Sequence, residues 1–263
     1  MVTASPPRGA RPAAEASARQ VAGRRWRSAR GVVATVVAMI VVAVVLAALR
    51  PSASAEALDP ESPKQDGSRA LAEILRQHGT PVTVARNTGD ALSAAGPGTV
   101  LVVTRTERLT EEDLERLSGV PADVLLVRPT SFALDAFAPQ VRRRSPSTQE
   151  VAGPGCNLPV ASLAGPVDFH ESETYEVAGT GTACYRTDYG DARLVQVGTG
   201  AHTVTVLGSA APLTNRRLTE EGNAALAMNL AGAGTSAVWL APDLPKAAPA
   251  RGSGRSATCC RSA

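Results

Sequence analysis

The chain has 263 residues, enough for one domain of about 150–200 residues with tails. Its 44% hydrophobic content excludes a wholly disordered protein, and its 3% aromatic content calls for a core of Ala, Val and Leu. Residues 1–30 carry +6 and residues 246–263 carry +4 within a total of +3, leaving −7 for residues 31–245, so a basic nucleic-acid-binding domain is excluded.

In chain order, residues 1–30 are rich in Ala, Pro, Arg and Ser, lack apolar periodicity and read as a disordered basic tail. Gly31 to Leu49 is a run of 19 residues with no charge and one Thr. A helix of that length spans about 28 Å, close to the hydrocarbon thickness of a bilayer. Arg24, Arg25, Arg27 and Arg30 precede it, and Arg50 alone follows. That asymmetry predicts a single-pass cell-membrane protein with its N-terminus in the cytoplasm and its domain outside. Ala53-Ser54-Ala55 resembles a signal-peptide cleavage site, but the apolar run exceeds the 7–15 residues of a signal sequence. An uncleaved span is the expectation, and the domain is exported on either reading.

Residues 50–63, with three prolines, read as a spacer, and the exported domain as residues 64–245. Asp66-Gly-Ser68 offers caps for a helix carrying Leu71, Ile74 and Leu75. Pro81–Ala85 reads as a short strand, and Thr99–Val103 and Asp123–Val127 as strands buried on both faces. Between the last two, Thr110 and Asp113 form a variant capping box ahead of Leu114 and Leu117. Strand, helix and strand at this spacing predict an α/β fold with a mostly parallel open sheet.

Residues 132–187, rich in Gly and Pro, read as an excursion from the sheet. Arg193–Val197 and His202–Leu207 read as a hairpin, Leu218–Leu230 as a helix with Thr219 as a candidate cap, and Ser236–Leu240 as the last strand.

Chemistry is harder to find. Cys156 and Cys184 lie in the exported part, where thiols oxidise, and joining them would remove about 3–4 kcal/mol of unfolded-state entropy. Two buried free thiols are the alternative. Neither cysteine sits on a strand-to-helix elbow, the three histidines are scattered, and no phosphate-binding glycine loop is present. No metal or cofactor site and no catalytic residue is predicted. His170-Glu-Ser-Glu173 reads as a solvated face. Thr214, Asn215 and Asn223 cluster where a strand ends and a helix begins, the edge at which open α/β sheets bind ligands. Satisfying loop and helix-end backbone groups is the other reading of these residues.

Leu58-Asp-Pro-Glu-Ser-Pro63 with Asp66–Ala72, Leu213-Thr-Asn-Arg-Arg-Leu218, Gly222–Ala227 and Val238-Trp-Leu240 resembles the bacterial membrane proteins of domain of unknown function 4350. The resemblance covers about residues 57–245. It implies that Cys156 and Cys184 are the family's cysteine pair. It also implies a fold similar to class I glutamine amidotransferase domains without their catalytic Cys and His, so no active-site residue carries over. Gene neighbours of the family, MoxR-type ATPases and other membrane proteins, imply a role in a membrane assembly. The resemblance further implies a second hydrophobic helix, whereas Arg251–Ala263 has no apolar run. A frameshift at Thr258-Cys-Cys-Arg261 is the hypothesis for that tail; an intact gene with no hydrophobic helix in another frame would refute it.

The expected function is binding of a protein or cell-envelope ligand without catalysis, with the lipid bilayer and other membrane or envelope proteins as partners. The alternative is a hydrolase or amidotransferase-like enzyme with a non-standard site.

Overall fold

The computed structural model describes residues 35–42, 57–200 and 202–243. Met1–Ala53 and Ser54–Ala263 are two compact units. In the first, residues 35–42 are helical and exposed. No helix among the described residues is long and apolar enough to cross a membrane. The rest of the predicted span, the basic tail, Ala53-Ser54-Ala55 and residues 246–263 lie outside the described residues.

The second unit is a mixed α/β domain. Its helices are α1 (Arg69–Gln77), α2 (Thr88–Ala94), α3 (Glu111–Ser118), α4 (Ser131–Phe137), α5 (Pro159–Ala164) and α6 (Asn223–Ala231). Its large sheet uses β1 (Val82–Ala85), β2 (Thr99–Val103), β3 (Asp123–Val127), β4 (Val141–Arg143), β7 (Tyr175–Val177), β8 (Thr182–Arg186), β9 (Ala192–Gly198), β10 (Thr203–Leu207) and β11 (Ser236–Leu240). Strands β5 (Val151–Ala152) and β6 (Val167–Asp168) pair separately. The order is β1-β11-β2-β3-β10-β9-β7-β4, with β8 also paired to β9.

The apolar runs of β2 and β3 follow from burial on both faces. Val100, Val102, Leu125 and Val127 point into a core with Leu71 and Leu75 of α1, Ala161 of α5 and Leu226 and Leu230 of α6. Leu101, Val103, Val124 and Leu126 point into a second core with Ala91 of α2, Leu114 and Leu117 of α3, and Ala133, Leu134 and Phe137 of α4. The alternation of the pleat thus divides each strand between two helical layers.

The expected mostly parallel sheet is corrected to a mixed one. Strands β1, β11, β2, β3 and β10 run parallel, whereas β9, β8, β7 and β4 join by antiparallel pairs. The β9–β10 hairpin reverses the direction, and the segment read as an excursion supplies β4, β7 and β8. The expected helix at Leu218 begins instead at Asn223. Glu221 has φ 40°, a left-handed conformation that breaks a helical run, and Gly222 is the cap. A Cβ on Gly222 would stand 2.1 Å from the Ala164 carbonyl oxygen, so only glycine permits that approach.

Part of the expected spacer belongs to the fold. Leu58, Asp59, Pro60 and Ser62 are buried, and Trp239 Nε1 donates to the Leu58 carbonyl at 3.0 Å. Cys156 and Cys184 form a disulfide with their Cα atoms 5.2 Å apart, tying the loop before α5 to β8.

Candidate functional site

In an open α/β sheet the ligand crevice lies at the carboxyl ends of the strands, where neighbouring connections leave toward opposite faces. Here that point falls between β3 and β10. The chain leaves β3 for α4 in one core layer and leaves β10 for α6 in the other. The two strand ends are joined by Arg128 N–H donating to the Leu207 carbonyl at 2.8 Å.

Four polar side chains gather there. Arg128, the first residue after β3, has φ 48°. Its Nη2 is 3.9 Å from Glu173 Oε1, and Nε of Arg143 on β4 is 3.8 Å from Glu173 Oε2. The Arg143 guanidinium also donates to the Pro129 carbonyl, which fixes its direction. Glu173 N–H donates to the Gly208 carbonyl at 2.9 Å, and a Cβ on Gly208 would stand 2.1 Å from the Glu173 backbone carbonyl oxygen. Glycine after β10 therefore permits the approach that places Glu173. Tyr175 on β7 pairs in register with Arg143 and is 1% exposed. Its hydroxyl has no hydrogen-bond partner among the described residues. Burial pushes the Tyr175 pKa up, with the nearby charges of Arg143, Glu173 and Arg128 as smaller influences.

The β1 end of the same edge is built differently. Arg86 donates to both carboxylate oxygens of Asp59, at 2.6 and 3.0 Å, and also to Glu61. Burial pushes the Asp59 carboxyl up, but hydrogen bonds from Arg86 and the Glu61 N–H, with the charges of Arg86 and Arg105, outweigh it and hold the pKa below the usual carboxylate range. Arg105, at φ 54° and 7% exposed, donates from Nε to the Ala57 carbonyl at 2.7 Å and from Nη1 toward that of Pro242 at 3.4 Å. Burial lowers the Arg105 pKa, and the neighbouring charge of Arg108 adds to that. These contacts clasp the segment entering the sheet to the one leaving it.

The residues singled out in the sequence serve separate segments. Asn215 Oδ1 accepts from Ala70 N–H at 2.8 Å, and its Nδ2 donates to the carbonyls of Ser62 and Lys64 at 2.9 and 2.7 Å. Asn223, fully buried, accepts from Asp168 N–H at 3.0 Å and donates to the Arg217 carbonyl at 2.8 Å. The Thr214 hydroxyl donates to the Ala211 carbonyl at 2.9 Å. His170-Glu-Ser-Glu173, read as a solvated face, is divided. His170 lies by Arg217 and Glu150, buried Ser172 bonds to Arg193, and Glu173 joins the switch-point cluster. Among the described residues no group of three His, Cys, Asp or Glu side chains is placed to hold a metal ion.

Sequence reasoning missed Arg128, Arg143 and Tyr175. The one available signal was Arg128, a cation directly after the apolar run Val124–Val127 and before Pro129.

The protein is thus an α/β domain on a mixed sheet, with an arginine-lined carboxyl edge and a disulfide-tied flank. It belongs to the family described as domain of unknown function DUF4350, whose pattern matches residues 60–231. It is 41% identical over 221 residues to the uncharacterized membrane protein Rv3691 of Mycobacterium tuberculosis (strain ATCC 25618 / H37Rv), a match covering 84% of this chain and 57% of that protein. The chain therefore spans little more than half the length of this curated relative. Among solved structures it is similar to the mmIFT52 N-terminal domain at 16% identity, covering 62% of this chain and 88% of that one, with a TM-score of 0.42. It is also similar to the exo-beta-1,4-mannosidase Op5Man5 from Opitutaceae bacterium strain TAV5 at 12% identity, covering 66% and 33%, with a TM-score of 0.39.

Proposed function

We propose that this protein is held in the cell membrane by Gly31–Leu49 and that its extracytoplasmic α/β domain binds a protein or cell-envelope ligand without catalysis. The arginine asymmetry around the apolar run supports a cytoplasmic N-terminus. The Cys156–Cys184 disulfide supports an oxidising location for the domain. The name of the mycobacterial relative supports the membrane. Helices on both faces of the parallel strands support kinship with the class I glutamine amidotransferase fold. Partners are other membrane or envelope proteins, in keeping with the family's gene neighbourhoods.

One observation carries the binding reading. At the carboxyl edge the buried hydroxyls of Thr104 and Ser209 are committed to structure, while the arginines are left with hydrogen-bonding capacity. Thr104 donates its hydroxyl to the Leu240 carbonyl at 2.9 Å, and Ser209 donates to that of Phe169 at 2.6 Å. Both domain cysteines are joined to each other. Arg128 and Arg143, in contrast, surround a carboxylate without closing on it. Thr214, Asn215 and Asn223 hold the loops that frame the domain in this reading.

The test is photocrosslinking of the full chain in native membranes. Phe132, exposed in the first turn of α4, and Tyr189, exposed between β8 and β9, are each replaced by a benzoylphenylalanine. A discrete adduct at position 132 and none at 189 is expected. Hydrolytic turnover by the purified chain with no adduct at either position would overturn the proposal.

A further inference from the structure

Arginine–carboxylate pairs that serve structure close to hydrogen-bond distance, usually 2.7–2.9 Å, because a partly buried charge needs its partner's donors. Among the described residues Arg86 closes on Asp59 at 2.6 Å and also on Glu61, Arg217 on Asp168 and Arg216 on Asp66 at 2.8 Å each, and Arg144 on Glu176 at 3.0 Å, so that Arg144 is already paired where it stands 3.8 Å from Asp191. The switch-point pairs do not. Arg128 and Arg143 stop 3.9 and 3.8 Å from Glu173, outside hydrogen-bond reach, although the Glu173 side chain is only 20% exposed. The half-exposed Arg128 guanidinium keeps its donors, and both Glu173 oxygens keep lone pairs. Beside them the Tyr175 hydroxyl is buried and unpartnered among the described residues, an arrangement that folding alone disfavours. These groups come from the residue after β3, from β4, from β7 and from the segment before β7, and they meet at the switch point of the sheet.

Two guanidiniums against one carboxylate make this spot locally positive in a domain that is otherwise acidic. Arg128 and Arg143 match the planar acceptor pairs of a carboxylate or phosphate. Glu173 remains to accept from a hydroxyl or amine on the same molecule. We propose that Arg128, Arg143, Glu173 and Tyr175 form a binding site for a carboxylate or phosphate group on a ligand that also carries a hydroxyl or amine. This deepens the binding reading given above and rests on it. Because burial holds the Tyr175 pKa up, the phenol stays protonated and able to donate to the bound anion.

The test uses the full chain in phosphatidylcholine nanodiscs, titrated with inorganic phosphate and with citrate against chloride at constant ionic strength, with Tm as the readout. Phosphate or citrate is expected to raise Tm, with unchanged affinity in Arg142→Gln, whose side chain is 62% exposed on β4. In Arg128→Gln the apparent Kd is expected to rise about tenfold or more. Tyr175→Phe is expected to weaken anion binding several-fold while its anion-free Tm does not fall, a combination that a purely structural hydroxyl would not give. If the natural anion is a lipid headgroup, nanodiscs containing phosphatidylglycerol raise Tm without added phosphate; if it is a soluble ligand, they do not. Both results support the site. No shift in the unsubstituted chain, or a shift that Arg128→Gln leaves intact, overturns it. An adduct at position 132 without any anion response removes only the anion chemistry, whereas loss of both removes the binding reading as well.

Discussion

At the β1 end of the carboxyl edge, Arg86 grips Asp59 through two hydrogen bonds, and Arg105 reaches the carbonyls of Ala57 and Pro242. At the β10 end, Arg128 and Arg143 stand 3.9 and 3.8 Å from Glu173, beyond the reach of about 3.2 Å that a hydrogen bond allows. The residue types are the same, and the difference lies in how fully their hydrogen bonds are used. The first set joins chain segments far apart in sequence, so closing the contacts stabilises the fold. The second set is held by backbone contacts that need no help from the carboxylate. Arg128 is fixed through its amide, Arg143 through Pro129 and Glu173 through Gly208. Polar contacts already closed should therefore report in stability, and those left open should report in binding.

The largest effect on the closed side belongs to the disulfide. The crosslink bridges a sequence separation of 28, and replacing both Cys156 and Cys184 by Ser should cost about 3–4 kcal/mol in the chain-entropy model. Denaturant unfolding of the oxidised and substituted chains checks this. A cost under about 1 kcal/mol would mean that the flank is held by other contacts. Asn223→Ala comes next, because it takes the side-chain acceptor from the buried Asp168 N–H and one of two donors from the Arg217 carbonyl, which keeps the Glu220 N–H. The expected loss is about 2–3 kcal/mol.

Asp59→Asn removes the carboxylate that Arg86 holds and should cost about 1.5–2 kcal/mol, read as a fall in Tm. The same group sets an acid limit. Its pKa in the folded chain lies below its ordinary value of 3.8. Its contribution is therefore complete above pH 3.8 and is lost as pH falls through the lower folded value. Asp59→Asn should flatten the stability profile in that window and leave its slope at neutral pH unchanged. A variant that still loses stability there as steeply would assign the acid limit to other carboxylates.

How much of this was legible in the sequence depends on whether each signal was local. The capping box at Thr110 and Asp113 was readable because both halves sit within one turn, and both of its hydrogen bonds form. The strands β2, β3 and β11 were readable because two covering layers demand unbroken apolar runs. Arg193 was not. At the start of a strand it reads as a polar end, yet it is fully buried. Ser172, Tyr185, Ser147 and Gln149 hold its guanidinium, residues as far as 46 positions away. The switch-point cluster was hidden for the same reason, since its members come from two strands and two connecting segments with no shared period. Thr214, Asn215 and Asn223 were visible as polar residues near a strand end, but sequence could not show which backbone groups they would reach.

The smallest effect on stability is the sharpest test of the comparison. Glu173→Gln makes the same kind of change as Asp59→Asn, a carboxylate replaced by its neutral isostere beside arginines. Ion pairs near 3.9 Å with a half-exposed guanidinium contribute about 0–1 kcal/mol, so Tm should barely move. The substitution also removes the negative charge facing Arg128 and Arg143, which should tighten binding of bare phosphate, since nothing then competes for the guanidiniums. A ligand carrying an amine should instead lose a charged acceptor, since the Gln amide oxygen accepts without charge, and bind more weakly. If Glu173→Gln costs as much stability as Asp59→Asn and leaves phosphate affinity unchanged, the two ends of the edge are alike, and the stand-off at Glu173 has no functional meaning.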